Sequence, residues 1–422
     1  MPKPSIRFIH CADLHLDSPM RGLANYAGAP VEEMRTATRR SFSNVVDLAL
    51  EREVDLMLIS GDVFDKDWPD FNTGLFFANQ LRRLVDAAVR VFVVSGNHDA
   101  VNKISRTVPL PKNVKWFEAT EATTFVDETL GVAIHGQSFA TDKMSDDLAS
   151  RYPDAYAGLL NIGLLHTSLT GREGLEHYAP TSADRLTAKG YQYWALGHIH
   201  KRSIIREEPW IVFPGNIQGR HARELGPKGC VVVAGDAERG ILSPPEFVAT
   251  DVARWVHLTI DANNLTHLDD LATAVQREVQ QSVLTAGNRP LAVRLSVNGR
   301  SLLHGALSKN PEQFRTNVCA WLNEASSGNA WLEKINSSLA APMDLEVLAK
   351  RDDPFGILLR RLNALGTNRE AVDQIAASVL SELEQKIPVE LRGELLGREL
   401  GTEALRLARE RLLASLSMET PP

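Results

Sequence analysis

Short β-branched apolar runs, each ending in a polar cluster and often followed by a helical stretch, recur through the first 250 residues of the chain. Ile6–Ala12, Val54–Ser60, Val89–Ser95, Leu130–Gln137, Leu159–Leu165, Tyr193–Leu196 and Trp210–Phe213 have the length and composition of buried strands. Between the first two runs Phe42, Val45, Val46, Ala49 and Leu50 recur at helical spacing. Between the next pair Phe77, Leu81, Leu84, Val85 and Ala88 do the same. Both sets predict helices laid on a sheet, so residues 1–250 read as a layered α/β domain.

The pattern changes after Ser243-Pro244-Pro245. Trp255–Ile260 and Leu291–Val297 alternate like strands, Leu268–Val283 and Glu312–Asn323 are helical in spacing, and Trp331–Ile335 suggests a third strand. That order predicts a small α/β domain over 251–342. From Met343 onward the chain reads as charged helix, a C-terminal region over 343–422. Narrow apolar stripes run through it, Leu380, Leu383 and Ile387 before Pro388 and Leu405, Ala408, Leu412 and Leu416 after it. Such stripes need a cover, either each other and the body of the protein or a partner helix.

Composition narrows this picture in three ways. The 422 residues carry a net charge of −7, which excludes a basic protein that coats nucleic acid but leaves room for an enzyme acting on it through one patch. Three cysteines, Cys11, Cys230 and Cys319, far apart in sequence, suggest a reducing compartment rather than a disulfide framework. Arg7 interrupts the apolar start after two prolines, and no apolar run reaches the roughly 20 residues needed to span a bilayer, so a cytoplasmic protein with no membrane partner is expected.

The candidate chemistry lies where the apolar runs end. The clusters there are Asp13-Leu14-His15, Gly61-Asp62, Gly96-Asn97-His98-Asp99, His166 and Gly197-His198-Ile199-His200. Ligands of open α/β sheets bind outside the carboxyl ends of strands, so these clusters converge although they are far apart in sequence. If the segments stay extended, Asp13 and His15 point to one side and can share a metal, and His198 and His200 likewise lie on one side of their segment. Asp62 arrives alone, with two oxygens able to bridge two ions. Imidazole, carboxylate and amide oxygen suit manganese, iron or zinc better than calcium or a thiolate-selective ion. The glycines Gly61, Gly96 and Gly197 would let the backbone turn tightly beside them.

This ordered set resembles the calcineurin-like metallophosphoesterase superfamily over residues 6–200. His10-Cys11-Ala12-Asp13-Leu14-His15-Leu16-Asp17-Ser18-Pro19 and Gly61-Asp62-Val63-Phe64-Asp65 are similar to the SbcD-type DNA repair exonucleases, in particular their YhaO-like branch. The resemblance implies a layered metallophosphoesterase sandwich, a small α/β capping domain and a helical C-terminal tail. It implies two divalent ions, most simply Mn²⁺, one held by Asp13, His15, Asp62 and His200 and the other by Asp62, Asn97, His166 and His198. Water would be the nucleophile, with His98 stabilising the phosphate and protonating the leaving oxygen. The implied partners are DNA and the coiled-coil base of an SbcC-type ATPase, bound through the tail; a homodimer is left open. The chain departs from the pattern at one point, because many SbcD-type nucleases carry a histidine three residues after the bridging aspartate and this chain carries Asp65. At that spacing Asp65 is expected to accept a hydrogen bond from His98 and hold its tautomer, or else to cap the loop.

Other cations have a weaker claim. Arg35 and Arg39, Lys201-Arg202, and Arg220, His221 and Arg223 are candidate contacts for DNA phosphates. His135 reads as structural or supporting, His10 as locally paired and Cys11 as a small buried residue. The same centre hydrolyses small phosphate esters, so a stand-alone phosphodiesterase or phosphatase is the second reading, and a catalytically silent scaffold subunit of an ATPase complex the third.

Overall fold

The apolar runs become strands at the positions the pattern marks, and they assemble into two sheets. A computed structural model describes residues 5–18, 34–65, 71–101, 110–169, 178–340, 349–368 and 407. The tail stripes lie outside these residues. The chain divides into two compact units, Met1–Val256 with Ser282–Val293, and His257–Gln281 with Arg294–Pro422.

In the first unit β1 (Ser5–Cys11), β2 (Leu56–Ser60), β3 (Arg90–Val94) and β4 (Val114–Trp116) run parallel. The chain then builds a second, six-stranded sheet from β5 (Thr123–Asp127), β6 (Val132–Gly136), β7 (Leu160–His166), β8 (Tyr193–Gly197), β9 (Ser203–Glu207) and β10 (Trp210–Phe213). Its spatial order is β5-β6-β7-β8-β10-β9, with β6, β7 and β8 parallel. Finally β11 (Gly229–Asp236), β12 (Ile241–Leu242) and β13 (Glu246–Ala249) return to the first sheet, β11 pairing antiparallel with β1.

Strands buried on both faces carry continuous apolar runs, and alternate side chains serve different layers. Phe8, Leu58, Phe92, Ile134, Ile162, Leu164 and Tyr193 meet between the sheets. Ile9, Cys11, Met57, Ile59 and Val93 face the other way, onto α1 (Ala37–Glu51) and α2 (Phe71–Asp86). The predicted stripes bury Phe42, Val45, Val46 and Ala49 of α1 and Phe77, Leu81 and Leu84 of α2, with Phe42 and Phe77 stacked at 5.5 Å. Burying each such large side chain contributes roughly 1.5–3 kcal/mol. On the outer face of the second sheet Trp194, Leu196 and Phe213 pack with Tyr152 and with Leu186 of a short helix. Among the described residues this unit also carries two short α-helices, α3 (Asn97–Val101) directly after β3 and α4 (Ala183–Ala188) before β8.

The second unit centres on a three-stranded sheet, β14 (Arg254–Asp261), β15 (Leu291–Arg300) and β16 (Ala330–Ala340), with α5 (Leu268–Thr285), α6 (Leu303–Lys309) and α7 (Pro311–Ser326) between the strands. The sequence pattern anticipates each of these except α6. After it α8 (Pro354–Thr367) begins on an Asp353 cap that accepts from the Gly356 backbone N–H. No helix among the described residues is long and apolar enough to cross a membrane.

Candidate metal centre

Every expected donor sits at the carboxyl end of a parallel strand: Asp13 and His15 after β1, Asp62 after β2, Asn97 after β3, His166 ending β7, and His198 and His200 after β8. The expectation that Asp13 and His15 share a side because their segment stays extended is not met. The strand stops at Cys11, and Asp13 and His15 take φ of 53° and 42°. Asp62 (51°) and His198 (99°) are left-handed as well. Non-glycine residues rarely hold this conformation, which costs on the order of 1–3 kcal/mol each and persists only where surrounding bonds enforce it. The enforcing bonds run between loops: Asp13 N–H donates to Gly61 O, His15 N–H to Asp62 O and Leu16 N–H to Val63 O, each at 3.0 Å. The Asp13 carboxylate in turn accepts the backbone N–H of His198 at 3.0 Å.

Close packing also explains a glycine. A Cβ on Gly96 would stand 2.2 Å from Asp62 Oδ1, so the residue is needed for proximity rather than for a turn. Gly61, at φ +94°, combines both demands, since its Cβ would meet the His166 ring at 2.5 Å. Asp99, which the pattern included without a role, is buried and accepts the backbone N–H groups of Val63, Phe64 and Gly96 at 3.2, 2.9 and 3.0 Å. Burial and the nearby Asp62 charge push its carboxyl up to about 7.

The donors gather into one cluster. Ligand atoms of Asp13, His15 and His200 lie within 4.8 Å of one another, as do those of Asp13, Asp62 and His166, and those of His15, Asp62 and His98. His166 Nε2 is 3.1 Å from Asn97 Oδ1 and 3.6 Å from Asp62 Oδ2. The His198 ring stands 5.2 Å from that of His166, whereas the His200 ring is 5.0 Å from that of His15. His198 and His200 therefore lie toward two different halves of the cluster.

Whether cations suit these residues follows from their hydrogen bonding. His166 Nδ1 is 2.9 Å from the Ser60 carbonyl, to which it must donate, so the Nε2 lone pair is aimed at the Asn97 and Asp62 oxygens. His200 Nδ1 is 2.6 Å from a Glu224 carboxylate oxygen, which leaves its Nε2 lone pair 3.2 Å from His15 Nε2. His15 Nδ1 is buried with no hydrogen-bond partner among the described residues. Burial, with Arg220 nearby, holds His15 well below the usual histidine range, and burial with His166 nearby lowers His198 to about 3. Both rings are neutral donors of electron pairs. Burial raises Asp13 against the pull of His200 and His166; at Asp62 burial acts the same way, but His166 and His98 outweigh it and lower the carboxyl. Convergent imidazole nitrogens, carboxylates and an amide oxygen in one buried cluster fit divalent cations.

Beside the cluster, His98 Nδ1 lies 2.5 Å from Asp65 Oδ1, and the His98 backbone N–H donates to Asp62 Oδ1 at 2.9 Å. Ser18 Oγ donates to Asp65 Oδ2 at 2.6 Å. Burial would raise the Asp65 carboxyl, yet the hydrogen bonds from His98 and Ser18 hold it far below the usual range. Of the basic candidates, Arg220 enters the site: its guanidinium is 3.2 Å from Ser18 Oγ, 3.7 Å from Asp65 and 3.5 Å from Glu224. His221 and Arg223 are exposed to solvent. Arg39 is tied to Asp17 through Nε at 2.7 Å, and Arg202 lies over the Phe247 ring. His135 bonds Thr124 and Asn161 and stacks on Tyr191, while His10 pairs with Tyr193 and Ser60, so both are structural. Cys11 is buried, its thiol raised well above the usual range by burial.

Sequence reasoning did not find Glu224. After His200 the chain runs out through β9 and β10 before it turns back to the centre, and no spacing rule connects the glutamate to the last motif. Only the fold shows that the carboxylate ends beside His200.

Comparison with known proteins follows the same division of the chain. A family model for calcineurin-like phosphoesterases matches residues 6–202, and one for the middle domain of metallophosphoesterase YhaO matches residues 255–340. The uncharacterized metallophosphoesterase YhaO of Bacillus subtilis is 33% identical over 298 residues, covering 70% of this chain and 72% of the relative. The DNA double-strand break repair protein Mre11 of Sulfurisphaera tokodaii is 24% identical over 300 residues, covering 67% and 72%. Its namesake from Methanopyrus kandleri is 22% identical over 397 residues, covering 83% and 84%.

Proposed function

Because the chain belongs to the calcineurin-like phosphoesterase family, beside YhaO, we propose that it is a two-metal phosphodiesterase acting on DNA. The observation that carries this reading is the convergence of neutral imidazoles and carboxylates at one edge of the two sheets, with the His98–Asp65 pair alongside. Asp13, His15, Asp62 and His200 would hold one ion, most simply manganese, and Asp62, Asn97, His166 and His198 the other. When bound, such ions polarise phosphate oxygens and acidify water.

The chain's own residues divide the remaining work. Asp65 accepts a hydrogen bond from His98 Nδ1–H, so Nε2 is the nitrogen that would pass a proton to the departing oxygen as the P–O bond breaks, while the proton released by the attacking water would leave to solvent. Arg220 is placed to take a non-bridging phosphate oxygen, since its guanidinium carries more donors than its neighbours satisfy. DNA is favoured over a small ester by the similarity to the Mre11 DNA double-strand break repair proteins. On this reading residues 1–250 form the nuclease domain, 251–342 a cap, and 343–422 the surface for the coiled coil of an SbcC-type ATPase.

The test is hydrolysis of linear single- and double-stranded DNA beside bis-p-nitrophenyl phosphate, with Mn²⁺, by the wild type and His98→Ala. Loss of DNA cleavage in the variant, by roughly 10²–10⁴-fold, supports the nuclease with His98 as acid. Cleavage of the small ester with DNA untouched, even with an SbcC-type partner added, overturns the DNA assignment and leaves a small-ester phosphodiesterase.

A further inference from the structure

Glu224 is buried and surrounded by donors. Its Oε1 is 2.6 Å from His200 Nδ1, and its Oε2 accepts the Arg220 backbone N–H at 2.7 Å and Asn216 Nδ2 at 3.0 Å. The Arg220 guanidinium lies 3.5 Å from Oε1 and His221 Nε2 lies 3.6 Å from it. A glutamine here would turn its amide N–H₂ toward at least one of these donors, whichever way it is flipped. Only a carboxylate accepts on both sides.

One contact competes for the same nitrogen. Arg220 Nη2 is 3.4 Å from His200 Nδ1, and a guanidinium cannot accept, so the two are partners only if Nδ1 has no proton. The shorter, charge-assisted contact with Glu224 decides the matter: Nδ1 keeps its proton, and Nε2 presents its lone pair toward His15. The backbone of His200 is gripped by the same segment, since Lys228 Nζ donates to the His200 carbonyl at 2.9 Å. Residues 216–228 thus fix both the ring and the main chain of His200.

We infer that Glu224 is a positioning residue that locks His200 with Nε2 facing the metal cluster and, through the same carboxylate, carries Arg220 to Asp65 and Ser18. This deepens the two-metal reading and rests on it. Outer carboxylates of this kind set the tautomer and basicity of a ligating histidine, and their loss typically costs 10–100-fold in metal affinity.

The test compares the full-length wild type with Glu224→Gln and Arg220→Ala, reading Mn²⁺ affinity and stoichiometry by calorimetry and kcat and KM on bis-p-nitrophenyl phosphate. Glu224→Gln should weaken one of two Mn²⁺ sites about 10–100-fold and also raise KM, whereas Arg220→Ala should raise KM with both Mn²⁺ affinities kept. Wild-type Mn²⁺ affinities in Glu224→Gln, or equal weakening in Arg220→Ala, overturn the inference. Should Glu224→Gln fail to fold, nitrogen-15 NMR of the metal-free wild type decides instead. His200 protonated at Nδ1 supports the assignment and protonation at Nε2 defeats it. If Mn²⁺ binds as described but DNA is not cut even with an SbcC-type partner added, the DNA reading fails and the role of Glu224 stands; if the wild type binds no Mn²⁺, both fail.

Discussion

Asp65 is the residue at which this chain departs from the nuclease pattern it resembles, and the structure gives the departure a chemical meaning. Its carboxylate accepts from His98 Nδ1 on one oxygen and from Ser18 on the other, so it fixes which nitrogen of His98 carries the mobile proton. Asp65→Asn should lower kcat on the order of 10²-fold while leaving bound Mn²⁺ unchanged, measured by metal analysis beside turnover; unaltered kcat would show that Asp65 only caps its loop. Away from the cluster, burial lowers His135 to about 4, against a hydrogen bond with Asn161 that favours the proton. A depressed folded-state value means that the unfolded chain takes up the proton first. The stabilisation is therefore complete above the ordinary value near 6.5 and is lost as pH falls from there toward 4, by up to about 2 kcal/mol at pH 5. Urea midpoints at pH 7 and 5 should differ less in His135→Gln than in the wild type. Residues such as Asp13, His15 and His200 were legible because their types recur at strand ends; Glu224 was not, and Asp99 was visible without its role, because a supporting acid is defined by what the fold brings to it.

The elements were legible where an apolar run is long and bounded by polar residues. The first strands and α1 and α2 meet that condition, and so does the β-α-β order of the second unit. Strand β11 was missed although Cys230–Ala234 is as continuous an apolar run as those marked; it pairs with β1, more than two hundred residues upstream, and no cluster of candidate ligands follows it. The loop conformations escaped for a different reason. Period-two alternation describes strands, and Asp13, His15, Asp62 and His198 stand one to four positions beyond them, at positive φ. Asp99 holds the loops after β2 and β3 together through three backbone N–H groups, so Asp99→Ala leaves three buried donors unpaired, at about 1–3 kcal/mol each. A lowered thermal midpoint together with weaker Mn²⁺ binding is the expected outcome. A lowered midpoint alone would mean that the loops keep their shape without it.

At the scale of the whole molecule, the apolar pattern separated an α/β body from a smaller α/β unit, whereas the two-layer arrangement of the body was implied by the family resemblance and not by the runs themselves. Consecutive strands can build one sheet or two, and nothing in a single apolar run says which. The division matters for the centre, because Asp13, His15, Asp62 and Asn97 follow strands of the first sheet whereas His166, His198 and His200 come from the second. Elsewhere the sheets meet largely through apolar side chains such as Phe8, Phe92 and Ile162, which adhere without direction, with a few hydrogen bonds such as that between His10 and the Tyr193 hydroxyl. Ions shared by both donor sets would act as rivets along one seam. Hydrogen–deuterium exchange should report this as a lopsided response: chelation loosens amides at the carboxyl ends of β2, β3, β7 and β8 and leaves their amino ends protected, so that the sandwich opens like a hinged book rather than softening evenly.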